Sequence, residues 1–224
     1  MLATRSLAAL AAASLFATAA SAQLSNPSFE TEFTGDPTTG WATFGNSFRN
    51  SSADAGVNAF DGDFVSKTFG NFSNAENYSG LSQNFAVSDT DTLGASVYGL
   101  SDPDDSIFGT GNRMVMKFDF FNGPDLTFGG ANYVGSSPDV IVIDGNTPLA
   151  SSDDDWLLRE MMNIDVPDGA TSASLAFVFI QPASNDGGSV SLDLASVSIT
   201  PVPEPASLAL LGLGGLGLLR RRRA

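Results

Sequence analysis

Met114-Val115-Met116-Lys117-Phe118-Asp119-Phe120-Phe121 alternates along its whole length. Met114, Met116, Phe118 and Phe120 share one face, and Val115, Lys117, Asp119 and Phe121 the other, because successive side chains of a strand point to opposite sides. The same period appears on both sides of this stretch. Leu81, Gln83, Phe85 and Val87 alternate with small or polar residues, and Ala173, Leu175, Phe177 and Phe179 form another inward set. Residues 140–143 are a continuous apolar run between Pro138 and Asp144-Gly145-Asn146. Val190, Leu192 and Leu194 share a face while Val197 and Ile199 fall in the opposite phase, so a bulge is expected near Ala195. Residues 155–163 admit a helix capped by the acidic run. The alternation of Trp156, Leu158, Met162 and Ile164 ahead of the turn Pro167-Asp168-Gly169 favours a strand. Roughly nine or ten short strands, separated by Gly, Asn, Asp and Pro, predict an all-β chain built as a single β-sandwich.

Composition narrows what such a sandwich can do. Residues 23–200 carry five basic residues, Arg49, Lys67, Arg113, Lys117 and Arg159, against 24 acidic ones, a net charge of −19. That surface repels nucleic acid and anionic lipid headgroups, so neither is expected as a partner. Cysteine and histidine are both absent from the chain. The fold therefore holds without disulfides, and the usual ligands for zinc, copper or haem are missing. A Ser-His-Asp or Cys-His nucleophilic centre is excluded. A glycosidase using two carboxylates stays open in principle, but no spacing singles out a pair.

The two ends read as targeting segments. Residues 1–22 place Arg5 before an apolar stretch that ends in Ala20-Ser21-Ala22, the parts of a secretory signal peptide, so the exported chain is expected to begin near Gln23. At the other end, Pro203-Glu204-Pro205 is a stiff, non-helical segment followed by an uncharged Leu/Gly-rich stretch, 206–219, and then Arg220, Arg221, Arg222 and Arg223. As a helix that stretch covers about 21 Å, short of the ~30 Å hydrocarbon core, a gap that snorkelling arginines and bilayer thinning narrow. The arginines act as a membrane stop and favour a cytoplasmic C-terminus. An ordinary C-terminal anchor is one reading of this tail. The order of its three parts resembles the PEP-CTERM sorting signal of Gram-negative bacteria. The resemblance implies processing near Pro203, Glu204 and Pro205 by an exosortase. It also implies export across the inner membrane, a transient membrane anchor in 201–224, and delivery to the cell surface or extracellular matrix.

The segment between the ends, 23–200, carries a second resemblance. Leu24-Ser25-Asn26-Pro27-Ser28-Phe29-Glu30 followed by Gly40-Trp41, then Gly80-Leu81-Ser82-Gln83, Trp156, Val166-Pro167-Asp168-Gly169-Ala170 and the closing 191–199, is similar to galactose-binding-like jelly rolls, which include families of carbohydrate-binding modules. Trp41 and Trp156 match positions that are usually core. Leu194 stands where these folds often have a second acidic residue. The resemblance implies a structural calcium ion held by Glu30 and Asp193, with Asn26 beside them. Their other reading is a strand cap and a sheet-edge carboxylate. Calcium takes six to eight oxygen ligands. Asp61-Gly62-Asp63, Asp102-Pro103-Asp104-Asp105 and Asp153-Asp154-Asp155 lack EF-hand spacing and read as solvated turns.

Sugar recognition needs exposed rings beside hydrogen-bonding groups. Phe44, Phe48, Tyr78, Tyr98 and Tyr133 lie in or next to polar segments and are the candidates, each with the alternative role of a half-buried anchor. The first expectation is thus a non-catalytic surface or matrix protein sorted through its tail and associated with exopolysaccharide. The second is glycan recognition by the jelly roll.

Overall fold

The structure is a computed structural model that describes residues 24–123 and 126–201. In chain order its strands are β1 (Ala42–Phe44), β2 (Asn46–Ser51), β3 (Phe64–Phe69), β4 (Asn77–Ala86), β5 (Asp91–Leu100), β6 (Arg113–Phe121), β7 (Tyr133–Ser136), β8 (Val140–Asp144), β9 (Leu157–Asp165), β10 (Ser172–Gln181) and β11 (Ser189–Pro201), with one helical turn, α1 (Ser52–Ala55), after β2. The alternating stretch that begins at Met114 is thus β6. It lies inside a six-stranded sheet of order β1-β4-β10-β6-β7, in which β8 shares the outer edge of β6 with β7. A five-stranded sheet of order β2-β3-β11-β5-β9 packs against it. All strand pairs are antiparallel. The result is the expected all-β sandwich of jelly-roll type.

Period two places the core. Met114, Met116, Phe118 and Phe120 from β6 and Ala173, Leu175, Phe177 and Phe179 from β10 point between the sheets. There they join Leu93, Ala95 and Val97 of β5 and Val190 and Leu192 of β11. Trp41 is buried as expected, its ring 5.3 Å from Phe29 and 5.8 Å from Phe177, and its Nε1 donates to the Asn26 carbonyl at 2.9 Å. Trp156 packs instead against a separate cluster, Ala55, Val57, Val65 and Leu100, on the outer side of the five-stranded sheet. The chain passes from β1 in one sheet to β2 in the other through the single residue Gly45, at φ +60°. A Cβ there would lie 2.5 Å from Ser79 Oγ, so only glycine fits this corner.

Two phases differ from the alternation read in the sequence. In β9, Leu157, Met161 and Ile164 face the core, whereas Leu158 and Met162 point outward. Asn163 at φ +58° and a register shift opposite Leu93 and Ala95 break the period, so the set Trp156, Leu158, Met162 and Ile164 mixes two faces. In β11 the bulge comes at Leu194 (φ +46°), where the register with β5 shifts between Asp193 and Ser196. Leu194 leaves the inward face, which Ala195 and Val197 then resume.

Residues 1–22, with the expected signal peptide, lie outside the described residues. So do the sorting-motif residues Pro203, Glu204 and Pro205 and the arginines Arg220, Arg221, Arg222 and Arg223. Among the described residues no helix is long and apolar enough to cross a membrane.

Candidate ligand groove

The outward face of the six-stranded sheet is not the solvated polar surface that alternation alone suggests. Val115 of β6 and Ala176, Val178 and Ile180 of β10 lie on that side, yet they form a buried apolar cluster of their own. They floor a groove of about 750 Å³. The strand register arranges its lining in ranks across the sheet. Tyr78, Ile180 and Arg113 make the first rank, Phe44, Gly80, Val178 and Val115 the second. Ser82, Ala176 and Lys117 make the third, and Asn84, Ser174 and Asp119 the fourth. Ranks two residues apart along a strand are about 7 Å apart, so the four extend about 20 Å.

Aromatic rings wall both long sides. Phe44 and Tyr78 rise on the β1/β4 side and Phe128 on the β6/β7 side, at 39%, 51% and 64% exposure. Gly80 makes room for the Phe44 ring, since a Cβ there would approach Phe44 Cζ to 2.8 Å. Phe128 is placed by the segment that follows β6: its ring lies 4.9 Å from Tyr133 and takes the Lys117 ammonium 4.3 Å from its centroid. Of the five aromatic candidates, Phe44 and Tyr78 line the groove, and Tyr133 supports Phe128 from behind. Phe48 and Tyr98 belong to the other sheet, where Phe48 packs on Phe69 and Tyr98 stacks on Phe60 at 3.7 Å. Phe128 gave no strand or motif signal because it lies in a connection and acquires its place from Tyr133 and Lys117.

Polar groups interrupt the apolar lining. Lys117 Nζ is 2.9 Å from Asp119, which also accepts the Ser136 hydroxyl. Asn84 Nδ2 has no hydrogen-bond partner among the described residues. The Tyr78 hydroxyl donates to Glu76, and that bond, with some burial, holds its pKa above the phenol range while nearby Arg113 pulls the other way. A second, smaller cavity of about 250 Å³ lies beside Phe108, Leu149 and Trp156. Its carboxylates are already engaged, Asp144 by Asn146 and Thr147 and Asp155 by Ser151, which lowers both pKa values although some burial opposes the shift, most strongly at Asp144.

The expected calcium ligands lie on a different part of the molecule. Glu30 Oε1 accepts from the amides of Asp63 and Phe64, both at 3.0 Å. Asp193 Oδ2 accepts from the Asp61 amide at 2.9 Å. The two carboxylates therefore grip one loop, 60–64, from either end. The Asn26 side chain is closed on Thr31 through two bonds of 2.7 and 2.9 Å. Asp193 is fully buried, which pushes its pKa up to about 6 against the backbone donors that lower it. That buried carboxylate is a feature a divalent cation would relieve, and calcium there would need further oxygens besides those of Glu30 and Asp193. Among the described residues no three His, Cys, Asp or Glu side chains converge as a ligand set.

Comparisons with known proteins address the tail and the fold. The PEP-CTERM protein-sorting motif matches residues 201–223, so the chain carries that motif, with Pro203, Glu204 and Pro205 and the four arginines inside it. The motif supports export and membrane-linked sorting to the cell surface. No curated protein matches. Among solved structures, a cyclase from Fischerella sp. TAU, in complex with an indole compound, is similar at 13% identity and a TM-score of 0.50, over 83% of this chain and all of that one. The carbohydrate-binding module TmCBM61, in complex with β-1,4-galactotriose, is similar at 18% identity and a TM-score of 0.47, over 78% of this chain and 95% of that one. The CBM22-1 xylan-binding domain of a Paenibacillus barcinonensis protein follows at 15% identity and a TM-score of 0.45, over 79% and 93%. At these identities the likeness is one of fold.

Proposed function

We propose that this is an exported, non-catalytic glycan-binding domain that takes a sugar chain in the groove on its six-stranded sheet. The observation that supports this reading is the groove itself, where three exposed rings flank an apolar floor and polar side chains lie within the same ranks. Sugar rings present apolar faces and hydroxyl edges, and this lining offers both kinds of partner. The reading goes beyond a purely structural matrix protein, which has no use for such a groove. Catalysis is disfavoured because glycosidases need one carboxyl poised as an acid beside a second. In the groove Asp119 is held by Lys117, and the carboxyl with the strongly raised pKa, Asp193, is buried under loop 60–64 on the other sheet.

In this reading the tail is processed by an exosortase after export across the inner membrane of a Gram-negative bacterium, and the domain ends at the surface or in the exopolysaccharide matrix. Glu30 and Asp193 would hold a calcium ion that supplies positive charge to a buried carboxylate. The test of the groove is binding of the full chain, purified in mild detergent, to a panel of polysaccharides by affinity gel electrophoresis. Tyr78→Ala and Phe44→Ala are each expected to weaken binding by about 1–2 kcal/mol, the cost typical of a contact anchor, with melting temperature unchanged. Failure of every polysaccharide to retard the wild-type chain would overturn the reading.

A further inference from the structure

We infer that the groove selects an anionic glycan, a chain bearing uronic-acid carboxylates, and that Arg113 reads the charge. The inference rests on the glycan reading above and deepens it. It starts from the scarcity of positive charge, five basic residues against 24 acidic ones in residues 23–200. Four of the five are engaged within the fold. Arg49 bonds Glu32 and the carbonyls of Phe29 and Glu30, and Lys67 pairs with Asp105 and the Ala55 carbonyl. Lys117 pairs with Asp119, and Arg159 donates to the carbonyls of Val142 and Leu158. Arg113 alone has neither a hydrogen bond nor an ion pair from its side chain to any described residue. It lines the groove, in the rank that begins with Tyr78.

A carboxylate does stand opposite it in the strand register. Asp144 of β8 pairs with Arg113 along the backbone, but its oxygens are taken up by Asn146 and Thr147. Among the described residues the half-buried Arg113 thus has no polar partner for its side chain, in a molecule crowded with carboxylates. A guanidinium presents a planar fork that matches a carboxylate in two parallel hydrogen bonds. Beside it, Tyr78 offers a ring face and Ile180 an apolar floor, so a sugar ring set on Tyr78 would bring a ring carboxylate to Arg113. Elsewhere the net negative surface repels such a polymer, which makes the groove its point of entry. Asp139, exposed at the groove rim, opposes the same ligand.

The test uses the full chain in mild detergent with polygalacturonate, alginate and hyaluronan, each beside its carboxyl-reduced neutral counterpart. The wild type is expected to bind at least one uronate polymer about tenfold more tightly than the reduced form, with the difference shrinking as salt rises. Arg113→Gln is expected to erase that difference, weakening the charged polymer far more than the reduced one, while leaving the melting temperature in place. Asp139→Asn is expected to enlarge it. Equal binding of charged and reduced polymers, or equal loss of both in Arg113→Gln, overturns the charge selection and leaves the glycan reading standing. If no polymer binds at all, charged, reduced or otherwise neutral, both fall together.

Discussion

Asp193 sits next to the β11 bulge with no exposed surface, bonded through Oδ2 to the Asp61 amide and through Oδ1 to its neighbour Leu194 at 2.7 Å. Burial lifts its pKa from 3.8 to about 6. Between those values the folded chain holds a proton that the unfolded chain has released, so stability from this group is greatest at the acid end and falls as pH rises through 6. The span is worth at most about 3 kcal/mol. In chelated protein the melting temperature is therefore expected to drop between pH 5 and pH 7, as calorimetry would show. A rise over that interval would contradict the burial argument. Asp36, Asp144 and Asp155 have lowered pKa values and act in the opposite sense, below about pH 4. If calcium binds there as proposed, it would compete with the proton, so adding it is expected to raise the melting temperature more at pH 7 than at pH 5. At this scale the sequence was informative about identity and silent about neighbours. Glu30 and Asp193, singled out through resemblance, both bond loop 60–64, and Phe44 and Tyr78, singled out through their polar surroundings, both line the groove. Arg113 was visible only as one of five cations, because its freedom depends on where Asp144 turns.

The strands were legible wherever period two ran unbroken, as in β4, β6 and β10, and became obscure at each bulge. Asn163 and Leu194 both adopt positive φ, and neither side chain announces it as a glycine would. The groove was hidden for another reason. Val115, Lys117 and Asp119 fall on one face of β6 by simple alternation, but the lining is completed by β4 and β10, and register between distant strands is not written locally. Two substitutions probe the elements directly. Phe177→Ala removes a fully buried ring from the centre of β10 and is expected to cost about 3–5 kcal/mol in denaturant unfolding. Gly45→Ala forces a Cβ against Ser79 Oγ in a left-handed turn and is expected to cost about 1–3 kcal/mol. An unchanged unfolding midpoint for Gly45→Ala would mean that the corner tolerates a side chain.

For the whole molecule, the sorting motif and the groove occupy different parts of the chain, so sorting and the proposed binding are expected to fail separately. Replacing Pro203, Glu204 and Pro205 with alanine is expected to abolish processing in the producing cells while purified protein keeps its melting temperature. Normal release of that variant would argue against the exosortase assignment. The placement of β11 also sets how the domain carries force. It ends at Pro201, the first residue of the matched sorting motif, and is hydrogen-bonded to β3 on one flank and β5 on the other, in the sheet that does not bear the groove. If the tail is held in a membrane and a polymer pulls on the groove, as proposed above, tension would have to cross from one sheet to the other through the aromatic interior. Drawing β11 out lengthwise would shear two ladders together, whereas the three-residue β1, with Phe44 at its end, is a sheet edge that can peel one bond at a time. If the groove binds a glycan as proposed, the domain would under load release that cargo before its anchor.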